Sequence, residues 1–142
     1  MRDFIADEGW IDWQGVKYRT ILQVPGLSVI DTYSPAGSGP PRHVHDDADE
    51  LFVLVEGRVE IWLEGETQVL QAGQSARIPK GAEHTFRVTD DGPARKYVIL
   101  APGGFEDFFA EMSAGGFAIP ADMDAIQESA GRHHLRFTGP PL

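Results

Sequence analysis

The sequence HVHDDADE at residues 43–50 decides both the fold and the chemistry expected of this chain. His43 and His45 are two residues apart, so on a β-strand both imidazoles point to the same face. Glu50 follows an acidic loop that permits a bend in the chain, and His84 lies in a second strand-like segment. Three imidazoles and one carboxylate suit a divalent transition metal better than Ca²⁺ or Mg²⁺, which prefer oxygen ligands. The pattern therefore predicts a metal site inside a small β-barrel.

Short apolar runs separated by turn residues surround this stretch, which is typical of an all-β fold. Sixteen glycines and ten prolines are spread between the runs and indicate frequent turns. Gly57 separates the runs 50–56 and 58–63, and we expect a hairpin there. Segments 68–70 and 73–78 are expected to form another pair. The remaining segments that read as strands are 16–24, 27–33, 84–88 and 95–100.

The pattern changes to a helical one after residue 104. Four apolar residues fall at positions i, i+3, i+4 and i+7 of one helical face, and they are Phe105, Phe108, Phe109 and Met112. Gly115-Gly116 is expected to end this helix, and a second helix is predicted from an N-cap at Asp122 to Gly131. We expect the helical segment, about 105–131, to pack as core or as a dimer contact rather than to gate a substrate.

Apolar side chains that share the inward face with Glu50 and His84 are expected to line a substrate pocket. They are Phe52, Leu54, Phe86 and Val88. A few convergent polar groups walled by apolar side chains are the usual form of a small-ligand site. Trp62 and Tyr97 are open to two interpretations, since aromatic residues on strands either stack a ligand or simply pack against their neighbours.

An alternative interpretation of the histidine and glutamate set is a polar network without metal. That network would bury an ionised carboxylate beside three imidazoles, which is costly unless the charge is paired or coordinated. The residues 46, 47 and 49 are all aspartates, and a solvated acidic loop explains them better than a second cation site does. Arg42, His133 and His134 are expected to lie at the surface.

Composition excludes several functional classes. The chain of 142 residues is expected to form one domain, residues 1–142, and its net charge of −10 argues against binding to nucleic acid or to an anionic membrane. It has no cysteine, so disulfides, thiolate zinc sites and cysteine nucleophiles are excluded. Residues 1–4 lack the apolar core of a signal peptide, and a cytoplasmic location is the default expectation.

Two motifs in this sequence resemble those of the cupin superfamily. The first, over 37–57, consists of Gly37, His43, His45, Glu50 and Gly57, and every spacing fits the family pattern. The second, over 73–88, matches at Gly73, Pro79, Gly81 and His84. It departs at Val88, where the family pattern has an asparagine that is not a metal ligand. The flanking segments look like small single-domain cupins of the quercetin dioxygenase type.

This resemblance implies a double-stranded β-helix, or jelly-roll barrel, with one or two short C-terminal helices. It implies that His43, His45, Glu50 and His84 bind a divalent transition metal (Fe, Mn, Ni, Co, Cu or Zn) and that Glu50 accepts a proton from the substrate. The implied activity is a dioxygenase acting on an enolisable or aromatic hydroxy-ketone. A non-oxidative isomerase or lyase and a non-catalytic small-ligand-binding cupin remain alternatives.

The resemblance also implies a homodimer. Exposed strand edges need protection from unwanted pairing. The aromatic stretch at residues 10–13 is expected either to cover such an edge or to swap onto a partner chain.

Overall fold

The computed structural model describes residue 5 and residues 8–142; the stretch 1–4, which carried the signal-peptide expectation, lies outside the described residues. Eleven strands and two helices follow one another along the described chain. They are β1 (Ile11–Trp13), β2 (Val16–Val24), β3 (Leu27–Ser34), β4 (Pro41–His45), β5 (Asp49–Glu56), β6 (Arg58–Leu63), β7 (Glu66–Gln71), β8 (Ser75–Ile78), β9 (His84–Val88), β10 (Ala94–Ala101), α1 (Glu106–Gly115), α2 (Met123–Arg132) and β11 (Leu135–Pro141).

The strands form two antiparallel sheets. One has six strands in the order β1-β2-β3-β10-β5-β8, and the other has five in the order β11-β4-β9-β6-β7. Buried apolar side chains from both sheets meet between them, Leu54, Ile61 and Val88 among them. The predicted all-β class with two short helices towards the C-terminus is confirmed. No helix among the described residues is long and apolar enough to cross a membrane.

The chain changes sheets at Gly57 instead of forming the predicted hairpin. Among the described residues β5 pairs with β10 and β8, whereas β6 pairs with β9 and β7. Gly57 has φ +87°, and a Cβ there would lie 2.4 Å from the carbonyl oxygen of Pro93. Only glycine fits such a crossing without strain. The hairpin prediction at Gly57 is wrong because an apolar run carries no information about which sheet it joins.

The hairpin between β6 and β7 lies one turn later in the sequence. Glu64 and Gly65 both have positive φ, 47° and 90°, and they connect Leu63 to its partner Glu66. Two central residues with positive φ form a type I′ turn, which suits the twist of antiparallel strands. The predicted pairing of 68–70 with 73–78 is also wrong, since β7 joins the five-stranded sheet and β8 the six-stranded one.

Both helices form close to their predicted bounds. Gly116 ends α1 in the left-handed conformation, and α2 begins after Asp122. The Asp122 side chain accepts a hydrogen bond from the backbone of Ala118 instead of capping α2. Strand β11 follows α2 and pairs with β4; its Gly-Pro-Pro ending carries no sequence signal for a strand.

Strand β1 covers one edge of the six-stranded sheet within the same chain. Trp13 pairs with Val16, and Ile11 pairs with Tyr18 of β2. The indole Nε1 of Trp13 donates a 2.6 Å hydrogen bond to the carbonyl oxygen of Phe117, which joins this edge to the helical segment. The aromatic stretch therefore protects an edge, as one of the two sequence expectations proposed.

Candidate metal centre

Strands from both sheets carry the four polar side chains of the candidate site. His43 and His45 lie on β4, and His84 lies opposite His43 on the neighbouring strand β9. Glu50 lies on β5 in the other sheet. All four residues are buried, and the most exposed of them, His43, is 7% exposed. The bend at the acidic loop turns Glu50 to the interior despite its odd spacing from His45, as the sequence predicted.

The three imidazoles converge on a small volume. One nitrogen from each of His43, His45 and His84 lies within 4.8 Å of the other two. The ring centroids are 4.3 Å apart for His43 and His84, and 5.3 Å apart for His43 and His45. One carboxylate oxygen of Glu50 is 2.9 Å from Nε2 of His84, and the other is 3.6 Å from Nε2 of His45. This three-histidine cluster could hold a metal ion.

Backbone carbonyls orient two of the three rings. Nδ1 of His43 lies 2.8 Å from the carbonyl oxygen of Pro41, and Nδ1 of His84 lies 3.0 Å from that of Ala82. A carbonyl oxygen only accepts hydrogen bonds, so Nδ1 of each ring donates. The opposite nitrogen, Nε2, is then directed towards the other rings. Such an outer contact is the usual way in which proteins orient a metal-binding histidine.

The protonation states of His43, His45 and Glu50 suit a cation, whereas His84 would release a proton on binding one. Burial, followed by the charges of the other two histidines, lowers the pKa of His43 to about 3. Burial likewise lowers the pKa of His45. Burial alone would raise the pKa of Glu50, but His45 and His84 outweigh it and hold that pKa at about 2. Burial opposes protonation of His84 too, yet its hydrogen bond to Glu50 raises its pKa overall. Neutral imidazoles and an ionised carboxylate are the forms that bind metal.

A cavity of about 470 Å³ opens beside the cluster. His43, His45 and Glu50 form part of its wall, together with Phe52 and Phe86. Of the four expected pocket residues, Phe52 and Phe86 line this cavity. Leu54 and Val88 are 1% and 0% exposed in the apolar core and are not part of the wall. Each lies two residues further along its strand, where side chains fill the barrel.

Aromatic residues outside the motifs complete the cavity wall. Phe105, Phe108 and Phe109 line it from the helical segment, and β11 contributes Phe137. The ring of Phe105 packs edge-on against His45, with 4.5 Å between centroids. The apolar face of the helical segment therefore forms part of both the core and the cavity wall, although its spacing predicted only that it packs in the core or at a dimer contact. A helical period alone does not reveal which interior surface a stripe faces.

Several other sequence candidates lie away from the cavity. Trp62 is on the outer side of its sheet, where the guanidinium of Arg42 lies 4.5 Å from its ring centroid. Arg42 also donates a 2.6 Å hydrogen bond to the carbonyl oxygen of Pro140, so it does not face the histidines. Tyr97 occupies the face of β10 opposite to its inward-facing neighbours and does not line the cavity.

The acidic loop and His134 form ordinary surface contacts, whereas His133 is largely buried. Asp46 accepts two hydrogen bonds, of 2.7 and 2.9 Å, from Arg136. Asp49 accepts a 2.9 Å bond from the backbone of Lys80. His134 is 62% exposed. His133, which was expected at the surface, is 16% exposed and lies 3.0 Å from a carboxylate oxygen of Glu111.

Lys96 is a cavity residue that the sequence motifs do not include. It is 3% exposed and lies on β10 with its ammonium 3.8 Å from the ring centroid of Phe86 and 5.3 Å from that of Phe52. Burial lowers its pKa from 10.5 to about 8, and the charge of Glu50 offsets part of that effect. Lys96 lies on the same inward face of β10 as Val98 and Leu100. This alternation was the sequence pattern that could have predicted an inward-facing lysine.

Replacing Lys96 by methionine is expected to stabilise the protein, because methionine has similar length and no charge to desolvate. The lower pKa of Lys96 in the folded protein than in the unfolded chain corresponds to a loss of folding stability of about 3 kcal/mol at pH 7, which the methionine variant would not suffer. Between pH 8 and 10.5 the folded protein releases this proton while the unfolded chain keeps it, so the gain shrinks to about 1 kcal/mol at pH 10. Urea unfolding of the wild type and of Lys96→Met at pH 7 and at pH 10 measures this difference in the free energy of unfolding. A gain that does not change with pH would contradict this assignment.

Comparisons with known proteins agree with this architecture. The sequence family described as Cupin domain matches residues 29–100, half of the chain. Polyketide synthase CurC from Streptomyces cyaneus is 36% identical over 94 residues, which cover 64% of this chain and 61% of that protein. Quercetin 2,3-dioxygenase from Bacillus subtilis is 27% identical over 101 residues, which cover 70% of this chain and 30% of that protein. The chain thus spans less than two thirds of either relative.

A solved structure shows the same fold. KdgF from Halomonas sp. superposes with a TM-score of 0.67 at 20% identity, covering 73% of this chain and 96% of that one. At this identity the likeness concerns the fold alone, and it confirms the double-stranded β-helix expected from the two motifs. With its family match over 29–100 and a buried three-histidine cluster between two antiparallel sheets, the chain belongs to the cupin family.

Proposed function

We propose that this cupin is a metal-dependent dioxygenase acting on a small enolisable or aromatic hydroxy-ketone. The observation that carries the proposal is a buried cluster of three histidines, with the Glu50 carboxylate in contact with two of them, beside a cavity walled in part by aromatic rings. The residues that would hold the metal are His43, His45, Glu50 and His84. When bound, a divalent transition metal supplies Lewis acidity and coordination positions for substrate and dioxygen.

Glu50 is the proposed proton acceptor of the reaction. Its carboxylate is ionised at neutral pH, because His45 and His84 hold its pKa at about 2; it is therefore free to accept a proton, but it is a weaker base than a carboxylate whose pKa lies near neutral pH. It lies two residues before Phe52 on the inward face of β5, and both residues line the cavity, so a ligand bound there is within reach of the carboxylate. A base in this position can take the hydroxyl proton of an enol when the two oxygens come within hydrogen-bond distance.

The aromatic wall has two roles in this proposal. Phe52 and Phe86 meet edge to face with 5.6 Å between their centroids, and Tyr18 stacks on Phe109 at 4.1 Å. A flat ligand gains stacking and apolar contact from such a wall. Filling a cavity of about 470 Å³ also displaces water, which protects a reactive carbanionic substrate from protonation by solvent.

The relatives support the substrate class. Quercetin is an aromatic hydroxy-ketone, and one relative is a quercetin 2,3-dioxygenase. CurC is named as a polyketide synthase, and polyketides carry enolisable carbonyl groups. Quercetin and aromatic polyketides are both flat and rich in oxygen, which supports a ligand of this kind in the cavity of this chain.

Dioxygen uptake tests the proposal. The protein is loaded separately with Fe, Mn, Ni, Co, Cu and Zn, because histidine-rich sites take up whichever of these ions is available. Each form is then offered quercetin, 3-hydroxyflavone and acetylacetone in an oxygen-electrode cell. We expect stoichiometric oxygen consumption with at least one metal and one substrate. No uptake across the whole panel would contradict the dioxygenase, and turnover without oxygen would instead identify an isomerase or lyase.

The homodimer implied by the family resemblance is also proposed. Apolar side chains of Leu22, Val24 and Val55 are 42–44% exposed on the six-stranded sheet, and an apolar sheet surface of this kind suits a protein contact. Light scattering that gives the mass of a single chain, 15.6 kDa, would contradict this proposal.

A further inference from the structure

Strand geometry directs Lys96 into the cavity. Lys96 pairs with Thr32 on β3 and with Leu54 on β5, and its backbone carbonyl accepts a 2.8 Å hydrogen bond from the Thr32 hydroxyl. A β-bulge at Val55 lies beside this pair. The Cα–Cβ bond of Lys96 could point outward only if β10 slipped by one residue, which would turn Val98 outward as well. The strand register therefore places the lysine on the cavity side of β10.

The ammonium of Lys96 lacks an anionic partner among the described residues. It forms no ion pair within 4.0 Å there, and it lies instead against the rings of Phe52 and Phe86. By contrast, the buried carboxylate of Asp31 is paired with Arg19 and Arg95 at 3.0 and 2.7 Å. A buried charge costs stability unless it is compensated. An anion that enters the cavity would supply the missing compensation, so the buried ammonium of Lys96 is suited to bind one.

The ammonium and the histidine cluster lie at two different levels of the barrel. Phe52 follows Glu50 by two residues on β5, and Phe86 follows His84 by two residues on β9. Two residues along a strand span about 7 Å, so the ammonium lies roughly that distance from the carboxylate level. The cavity thus has a cluster of metal-ligand type at one level, a cation at the next, and aromatic rings around both.

We propose that Lys96 determines the specificity of this cavity by binding an acidic oxygen of the ligand. The ligand class is a flat aromatic or enolisable molecule that carries a carboxylate or an acidic phenolate at one end. The other end of the ligand faces the histidine cluster, and this placement alone rests on the proposed function. A neutral ligand of the same shape would leave the ammonium unpaired and bind more weakly.

A matched pair of probes tests this proposal without any need for turnover. 2-Naphthoate and 2-naphthamide have nearly the same shape and differ in charge. Their dissociation constants are measured by isothermal titration calorimetry on the full chain, as isolated and after metal removal by a chelator. The proteins compared are the wild type, the neutral variants K96M and K96Q, and the exposed-lysine control K17M. Elemental analysis and near-ultraviolet circular dichroism are recorded for each protein.

We expect the wild type and K17M to bind the acid at least about tenfold more tightly than the amide, with or without metal. In K96M and K96Q the two probes should bind within about twofold of each other, with unchanged metal content. The proposal is overturned if the wild type does not favour the acid or binds neither probe. It is also overturned if the preference survives in K96M or K96Q, or disappears on metal removal. Failure of oxygen uptake would leave this result intact, so the two proposals fail separately.

Discussion

The variant His45→Ala is expected to lose nearly all of its bound metal, from about one ion per chain to less than about a tenth. Removing even an outer contact of a metal site commonly weakens affinity by about 10- to 100-fold, and loss of a ligand should cost at least the upper figure. His45 is 5% exposed, and its Nε2 lies 3.6 Å from Glu50. Elemental analysis after purification and exhaustive dialysis measures the effect.

His134→Ala is the matched control for this experiment. His134 is 62% exposed, lies 3.7 Å from Asp47 and is not one of the three clustered histidines. We expect this variant to keep the metal content of the wild type. Far-ultraviolet circular dichroism should show both variants folded. Equal metal content in His45→Ala and the wild type would exclude His45 as a ligand.

The second large effect is expected from Glu50→Gln, which keeps the shape of the side chain and removes its charge and basicity. Loss of a positioned proton acceptor typically lowers the rate by about 10²- to 10⁴-fold. Three imidazoles remain, so the variant should still bind metal, though more weakly. The turnover number is compared with that of the wild type per metal-loaded chain, with a substrate that the oxygen-uptake panel identifies.

Glu60→Gln controls for the general effect of removing a carboxylate. Glu60 lies on β6 between the inward-facing Val59 and Ile61, so its side chain is on the outer face of the barrel. Its replacement should leave the turnover number within about twofold of the wild type. A fully metal-loaded Glu50→Gln protein with wild-type turnover would show that Glu50 is not the proton acceptor.

Local periodicity carried much of the information about the cluster. His43 and His45 occupy alternate positions, so a strand had to present both imidazoles to one face. The four aspartate and alanine residues between His45 and Glu50 had no strand pattern, which allowed the bend that the structure contains. Strand bounds for β2, β5 and β6 followed from apolar runs and turn residues for the same local reason.

Sheet membership could not be predicted in this way. The runs on either side of Gly57 look like a hairpin, yet β5 and β6 belong to different sheets. The difference depends on partners far away in sequence, such as β10, and on the close approach of Gly57 to Pro93. Neither contact leaves a trace in the local pattern.

The cavity wall was only partly predictable for a related reason. Parity placed Phe52 and Phe86 correctly along the inner face, but it could not show that Leu54 lies where the barrel is already filled. The parity of Lys96 with Val98 was visible in the sequence. Charged residues are usually exposed, so the sequence pattern alone did not justify placing a lysine inside the barrel. The structure was needed to show that Lys96 is buried there.

An anomalous-difference map from crystals of the wild-type protein tests the central claim most directly. Data are collected on both sides of the absorption edge of the metal that elemental analysis identifies. We predict a single strong peak about 2.0–2.3 Å from Nε2 of His43, His45 and His84, with a carboxylate oxygen of Glu50 at a similar distance. A peak confined to the acidic loop at 46–49, or no peak at the three histidines, would contradict the account.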